Sequence, residues 1–239
     1  MRRLTVILTS SALALSACTN GADPTTTTTT SAPAPTPSTT TTVATTTTVP
    51  SGEAVTTFFF EDAGAIRPGT GPFLVAVHET GQAEVPAAAL ASLLDGPPEA
   101  AAASGITTEI PDGTEVVSLA VGADGVATVE LSSTFDDGGG SASIFGRLAQ
   151  LTYTLTAFPS VDSVLLLENG AVVEVFSSEG IVLDGPMMRN DFEDQLPGIL
   201  VESPAWGAVV SLPFDASGTA AAFEAAFQAQ LIVDGNVVF

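Results

Sequence analysis

The sequence predicts an α+β protein in which antiparallel hairpins alternate with two helices packed on one face of a sheet, followed by a partial all-β segment. Two turn signals and one periodic stretch carry the prediction. Asp124-Gly125 and Asn169-Gly170 each separate two β-branched runs, and such pairs readily take the positive φ angles of a tight hairpin. Between them Ile144, Leu148, Leu151, Leu155 and Phe158 recur at spacings of four, three, four and three, which places them on one helical face. The resulting order of strand, strand, helix, hairpin, helix, hairpin suits helices gathered on one side of an antiparallel sheet.

Taken in order, Val55 to Phe60 and Phe73 to Val77 are β-branched and aromatic runs bounded by Gly and Pro, as strands are. A short helix follows: Pro86 suits its first turn, Leu90, Leu93 and Leu94 share a face, and Gly96-Pro97-Pro98 stops it. Glu115 to Val121 and Val126 to Leu131 flank Gly122-Ala123-Asp124-Gly125 as a hairpin. After Asp137-Gly138-Gly139-Gly140 comes the long periodic helix, which Pro159 ends. Val161 to Leu167 is then expected to pair with Ala171 to Phe176 across Asn169-Gly170.

Composition narrows the partners. The 239 residues hold 27 Asp and Glu against 5 cationic residues, all of them arginine, for a formal charge of -22. Nucleic-acid binding relies on Lys and Arg displacing counterions from phosphates, so a chain this acidic excludes it. Anionic lipid headgroups are disfavoured for the same reason, and any membrane association has to come from a covalent anchor. Residues 24 to 50 are almost wholly Thr, Ser, Pro, Ala and Val, without charge or aromatic ring, and cannot bury enough apolar surface to offset the entropy of ordering.

The N-terminus supplies a candidate anchor. Arg2 and Arg3 form a positive start, Leu4 to Leu15 is an apolar stretch too short to span a bilayer, and Leu15-Ser16-Ala17-Cys18 closes it. This resembles the lipobox of bacterial lipoproteins. The resemblance implies cleavage before Cys18, acylation of Cys18, and a mature protein on the extracytoplasmic face of the cell membrane. Two or more acyl chains anchor stably where one binds marginally. An ordinary cleaved signal with an incidental cysteine is the plain alternative. Cys18 is the single cysteine, so once acylated it leaves no disulfide, thiolate metal site or cysteine nucleophile. The organisation expected is residues 1–17 as signal peptide, 18–54 as a Thr- and Pro-rich tether, 55–196 as the α+β domain and 197–239 as a second, β-rich module. The tether would reach on the order of 110 Å as polyproline II and about 35 Å as a flexible coil.

The stretches Ala89-Leu90-Ala91-Ser92-Leu93-Leu94-Asp95-Gly96-Pro97, Ile110-Pro111-Asp112-Gly113-Thr114 and Asp124-Gly125-Val126-Ala127-Thr128-Val129-Glu130-Leu131 resemble the GerMN domain, in that family's order. The resemblance covers about residues 55 to 190. It implies kinship with spore-germination and sporulation proteins and with envelope lipoproteins, and it implies no catalytic residues. Ile199-Leu200-Val201-Glu202-Ser203-Pro204-Ala205-Trp206-Gly207, Gly218-Thr219-Ala220 and Phe223-Glu224-Ala225 resemble the immunoglobulin-like domain that often follows GerMN. A full immunoglobulin-type sandwich needs about 100 residues. The segment is therefore expected either to be cut short or to form a minimal sheet packed on the GerMN-like domain.

Chemistry is scarce. Without lysine there is no Schiff-base residue, phosphate-loop lysine or Ser-Lys dyad. His78, the one histidine, would have to carry any Ser-His-Asp triad, and no Gly-x-Ser-x-Gly elbow accompanies it. It reads more simply as a strand residue. Asp136 with Asp137, and Asp191 with Glu193 and Asp194, could offer carboxylates to calcium, but neither group has the spacing of a calcium loop. Solvated loop acids are the simpler reading. Trp206 reads as a packing residue rather than a ligand platform. These observations favour no cofactor, no metal, no enzyme, and a non-catalytic interaction module of the cell envelope whose partner is another envelope protein, with a sporulation role implied by the family alone. The alternatives are a wall-polysaccharide-binding lipoprotein and, further off, a wall hydrolase working through carboxylates.

Overall fold

The computed structural model describes residues 4–9, 54–61, 71–80, 82, 84–221, 227–233 and 236–237. Cys18, the rest of the expected tether up to residue 53, and Phe223 to Ala225 lie outside the described residues, while Ala54, expected as the last tether residue, already belongs to a strand. The chain forms two compact units, Met1–Val49 with Ala226–Phe239, and Pro50–Ala225. In the first unit β1 (Leu4–Thr9), part of the apolar stretch read as an export segment, pairs antiparallel with β13 (Gln228–Val233), which in turn pairs with β14 (Asn236–Val237).

The second unit has the α+β architecture the sequence predicts. Strand β2 (Ala54–Glu61) pairs antiparallel with β3 (Phe73–Thr80) over eight residues, from Ala54↔Thr80 to Glu61↔Phe73. Phe58, Phe59 and Phe60 are consecutive and all buried, so β2 is covered on both faces. Helix α1 (Pro86–Asp95) starts on proline and stops at Gly96, whose φ of 83° lets its N–H return to the Leu93 carbonyl. The turn α2 (Glu99–Ala102) leads to β4 (Ile106–Thr107), which covers the other side of β2 at Phe60 and Glu61.

A second sheet holds β5 (Val116–Val121) and β6 (Val126–Leu131), the expected hairpin, closed by the Gly122 N–H on the Val126 carbonyl at 2.9 Å. Gly125 adopts a φ of 79° in that turn. Helix α3 (Ser141–Leu155) follows and buries the predicted Ile144, Leu148, Leu151 and Leu155. It then crosses over so that β7 (Ser163–Glu168) lies parallel to β6, from Val126↔Ser163 to Glu130↔Leu167. Helices α1 and α3 pack on each other and on β2.

Two details differ from the sequence reading. The hairpins do not share one sheet: the orders are β3-β2-β4 and β5-β6-β7-β8, with a parallel pair in the second. The last hairpin is also shorter than expected. β8 (Ala171–Val172) ends after two residues, and β9 (Val175–Phe176) pairs instead with β10 (Ile181–Val182). The physical reason is Phe176, which turns into the core with its ring 5.4 Å from that of Phe135.

Helix α3 is buried nearly all round, polar residues included. Because β4 covers only the end of β2, the outward backbone of Phe58 lacks a strand partner there. Side chains of α3 supply one: the Phe58 N–H donates to Thr154 Oγ1 at 3.0 Å, and Gln150 Nε2 donates to the Phe58 carbonyl at 3.0 Å. Gln150 Oε1 also accepts the Glu109 N–H at 2.8 Å. The helix thus completes a sheet edge whose unpaired groups would each cost free energy if buried alone.

The final part of this unit is a 3-10 segment, Arg189–Gln195, then β11 (Ile199–Ser203) paired antiparallel with β12 (Ser217–Ala220). Trp206 bridges to the free side of β3, its N–H on the Ala76 carbonyl at 2.7 Å and its carbonyl accepting the His78 N–H at 2.8 Å.

Candidate interaction surface

Arg189 sits where β11 meets α3. Its Nε donates to Thr156 Oγ1 at 2.8 Å, Nη1 to Glu202 Oε2 at 2.7 Å and Nη2 to the Tyr153 carbonyl at 3.3 Å. The guanidinium lies 4.7 Å from the centre of the Tyr153 ring and 5.6 Å from that of Phe58. Tyr153 closes the arrangement by donating its hydroxyl to the Arg189 carbonyl at 3.2 Å. Burial pushes that phenol above its ordinary pKa, opposed by the Arg189 charge. An open groove of about 750 Å³ runs beside this cluster, lined in part by Thr156, Met188, Arg189, Glu193, Pro197 and Thr219. The cluster itself is a staple, since its cation is already committed to three acceptors.

Arg147 has a related role on the opposite flank of α3. Its side chain is buried, and its nitrogens donate to the carbonyls of Phe135 at 2.6 Å, Asp137 at 3.2 Å and Gly138 at 3.1 Å, and to Ser143 Oγ at 3.2 Å. Burial lowers its pKa, while Asp136, Glu109 and Asp137 act in the opposite sense. This geometry bears on Asp136 and Asp137. A calcium loop needs backbone carbonyls as well as carboxylates, and here the carbonyls of that loop face a guanidinium. In the other acidic group Asp191 Oδ2 accepts the Met188 N–H at 2.7 Å and so caps the 3-10 segment. Among the described residues no three His, Cys, Asp or Glu side chains gather as a metal site.

His78 is half-buried at the end of β3 and tied through its backbone to Trp206, whose ring packs against the core. The neighbouring Glu79, which sequence reasoning passed over, is half-buried and accepts from Thr57 Oγ1 at 2.8 Å. Desolvation holds its pKa above the usual carboxylate value, Asp95 adds to the rise, and hydrogen bonds from Thr57 and Ser92 oppose it. No simple spacing signals such a residue.

The apolar surface was the other feature hidden from sequence. Val116 is 42% exposed, Val117 59% and Val121 39%, all on β5. An uncharged Val-Val-Ser-Leu-Ala-Val run reads as a core strand, yet the fold sets it at a sheet edge. A shallow hollow of about 460 Å³ adjoins it, lined in part by Ala120, Val121, Val126, Leu165 and Pro186.

Residues 56–174 match the family described as "Sporulation and spore germination", named Germane. Residues 198–239 match the "Immunoglobulin-like domain of bacterial spore germination". A comparison with curated proteins gave no match. Among solved structures, the tandem GerMN domains of the sporulation protein GerM from Bacillus subtilis align over 58% of this chain at 19% identity with a TM-score of 0.47. This chain spans 46% of that structure. The first GerMN domain of the same protein aligns over 58% of this chain and 98% of its own length, again at 19% identity and a TM-score of 0.47. Residues 56–174, just under half of the chain, are thus similar to the sporulation and spore-germination family, and residues 198–239 to the germination-type immunoglobulin-like domain.

Proposed function

We propose that this chain is a non-catalytic interaction module, held on the extracytoplasmic face of a bacterial membrane by acyl chains on Cys18 and spaced from it by residues 18–54. The observation that carries the binding role is the exposed, uncharged strand β5, in a chain of charge -22. Exposed apolar surface is unfavourably hydrated, so burying it on a partner is favourable and such a patch marks a place where another molecule docks. The polar side chains support the same reading. Arg147, Arg189, Gln150 and Thr154 are spent on backbone and helix contacts rather than turned toward a common reacting centre. The partner is an envelope protein, and the family match favours one that acts in sporulation or germination. Family kinship alone does not transfer function.

Crosslinking in living cells that produce the full chain, followed by affinity capture and mass spectrometry, tests the binding role. A discrete protein captured reproducibly is the expected result. Capture of wall polymer alone, or of nothing across several growth conditions, contradicts it.

A further inference from the structure

Edge strands carry a row of unpaired backbone groups, and folded proteins usually shorten them, charge them or cover them. In the two main sheets, three of the four edges are handled this way. β4 and β8 are two residues long, and the outer side of β3 is bridged by Trp206. β5 is different. It has six residues, no charge and no proline, and among the described residues no strand pairs with its outer side. A register shift between Val116 and Ser118 disturbs only its beginning, so Ser118 to Val121 remain regular.

The hairpin closure fixes which backbone groups point outward. Because Gly122 bonds to Val126, the alternation of an antiparallel ladder makes Ala120↔Thr128 and Ser118↔Glu130 the hydrogen-bonded pairs. Leu119 and Val121 therefore turn their N–H and C=O groups away from β6. The strand is bracketed by exposed acids, Glu115 before it and Asp124 in the turn after it. A second copy of this chain would bring these acids together, on top of the repulsion between two bodies of charge -22.

From this we infer that the β5 edge receives an extended segment of another protein by strand addition, and that the incoming segment is apolar with cationic residues at its ends. Leu119 and Val121 supply the backbone bonds, Val117 and Val121 the apolar contact, and Glu115 and Asp124 the selectivity for positive flanks. The inference rests on the reading of the chain as an interaction module and specifies where its partner docks.

The test uses the full chain, isotopically labelled, with three synthetic peptides: alternating Thr-Val flanked by lysines, the same core flanked by glutamates, and the lysine form with a central proline. The lysine-flanked peptide slows amide exchange at Leu119 and Val121 by about tenfold or more, and the other two leave it unchanged. Val117→Lys, at an exposed position, weakens that protection by about tenfold without altering the fold. Equal protection by lysine and glutamate peptides, protection at another strand, no protection at all, or concentration-dependent protection without peptide each overturns the proposal. Cell crosslinking separates it from the wider reading. A partner captured equally by wild type and Val117→Lys sinks the β5 site and leaves the module standing. Peptide binding at β5 with no cellular partner does the reverse. Capture by wild type that is lost in Val117→Lys supports both.

Discussion

Arg189 donates to Glu202 at 2.7 Å, and this contact, together with the bonds from Arg189 to Thr156 and to the Tyr153 carbonyl, fastens β11 to the end of α3. Both side chains are only partly exposed, 30% and 24%, so solvent screens the pair incompletely. Removing the guanidinium also removes its bonds to Thr156 and Tyr153. Arg189→Ala is expected to destabilise the protein by about 2 kcal/mol, the scale of a charge-assisted hydrogen bond with its neighbours. Urea denaturation measures it. A double-mutant cycle with Glu202→Ala should show coupling on the order of 1 kcal/mol, and strict additivity would contradict the staple.

The loop around Arg147 provides the next prediction. Arg147→Met leaves the carbonyls of Phe135, Asp137 and Gly138 without their donor, at a cost of about 3 kcal/mol, seen as a lower urea midpoint. Calcium should leave the wild-type melting temperature unchanged, because those carbonyls face the guanidinium. A calcium-dependent rise would place a metal in the loop.

Glu79 makes stability depend on pH in a defined direction. Its folded pKa lies above the ordinary 4.5, so the folded state holds a proton more tightly than the unfolded one. Its contribution is fully present below pH 4.5 and is lost as pH rises through the folded value. Glu79→Gln, which keeps an oxygen acceptor for Thr57, should therefore be more stable than wild type at neutral pH. That advantage shrinks as pH falls toward 4.5. Melting curves at several pH values measure it, and an advantage that grows on acidification would refute the assignment.

Gly218 tests the pairing of β11 with β12. A Cβ there would fall onto the Leu200 carbonyl oxygen, with the Glu202 amide nitrogen 3.1 Å away, and backbone cannot step aside cheaply. Gly218→Ala should cost about 1–3 kcal/mol and expose the Thr219 and Ala221 amides to exchange. Gly198→Ala, where a Cβ meets open space, is the control and should leave these amides protected.

Features governed by near neighbours were legible in the sequence. Pro86 and Gly96 bound α1, Gly122 to Gly125 close the first hairpin, and the leucine spacing of α3 marks its buried face. What stayed hidden depends on residues far apart in the chain. Thr154 meets Phe58 across 96 positions, and no local pattern announces that a helix will finish a strand edge. The parallel placement of β7 beside β6 is equally non-local, since a long helix between two strands permits several arrangements. The exposure of β5 escaped for the opposite reason. Its run is apolar enough to look buried, and only the sheet order reveals an edge.

The most direct test of the central claim is mass spectrometry of the N-terminal peptide from the membrane fraction of producing cells, with the Cys18→Ala form fractionated alongside. A mature chain beginning at Cys18 and carrying diacylglyceryl mass, with the Cys18→Ala form lost from membranes, is the result predicted. An unmodified cysteine, or a Cys18→Ala form that still partitions with membranes, would contradict it.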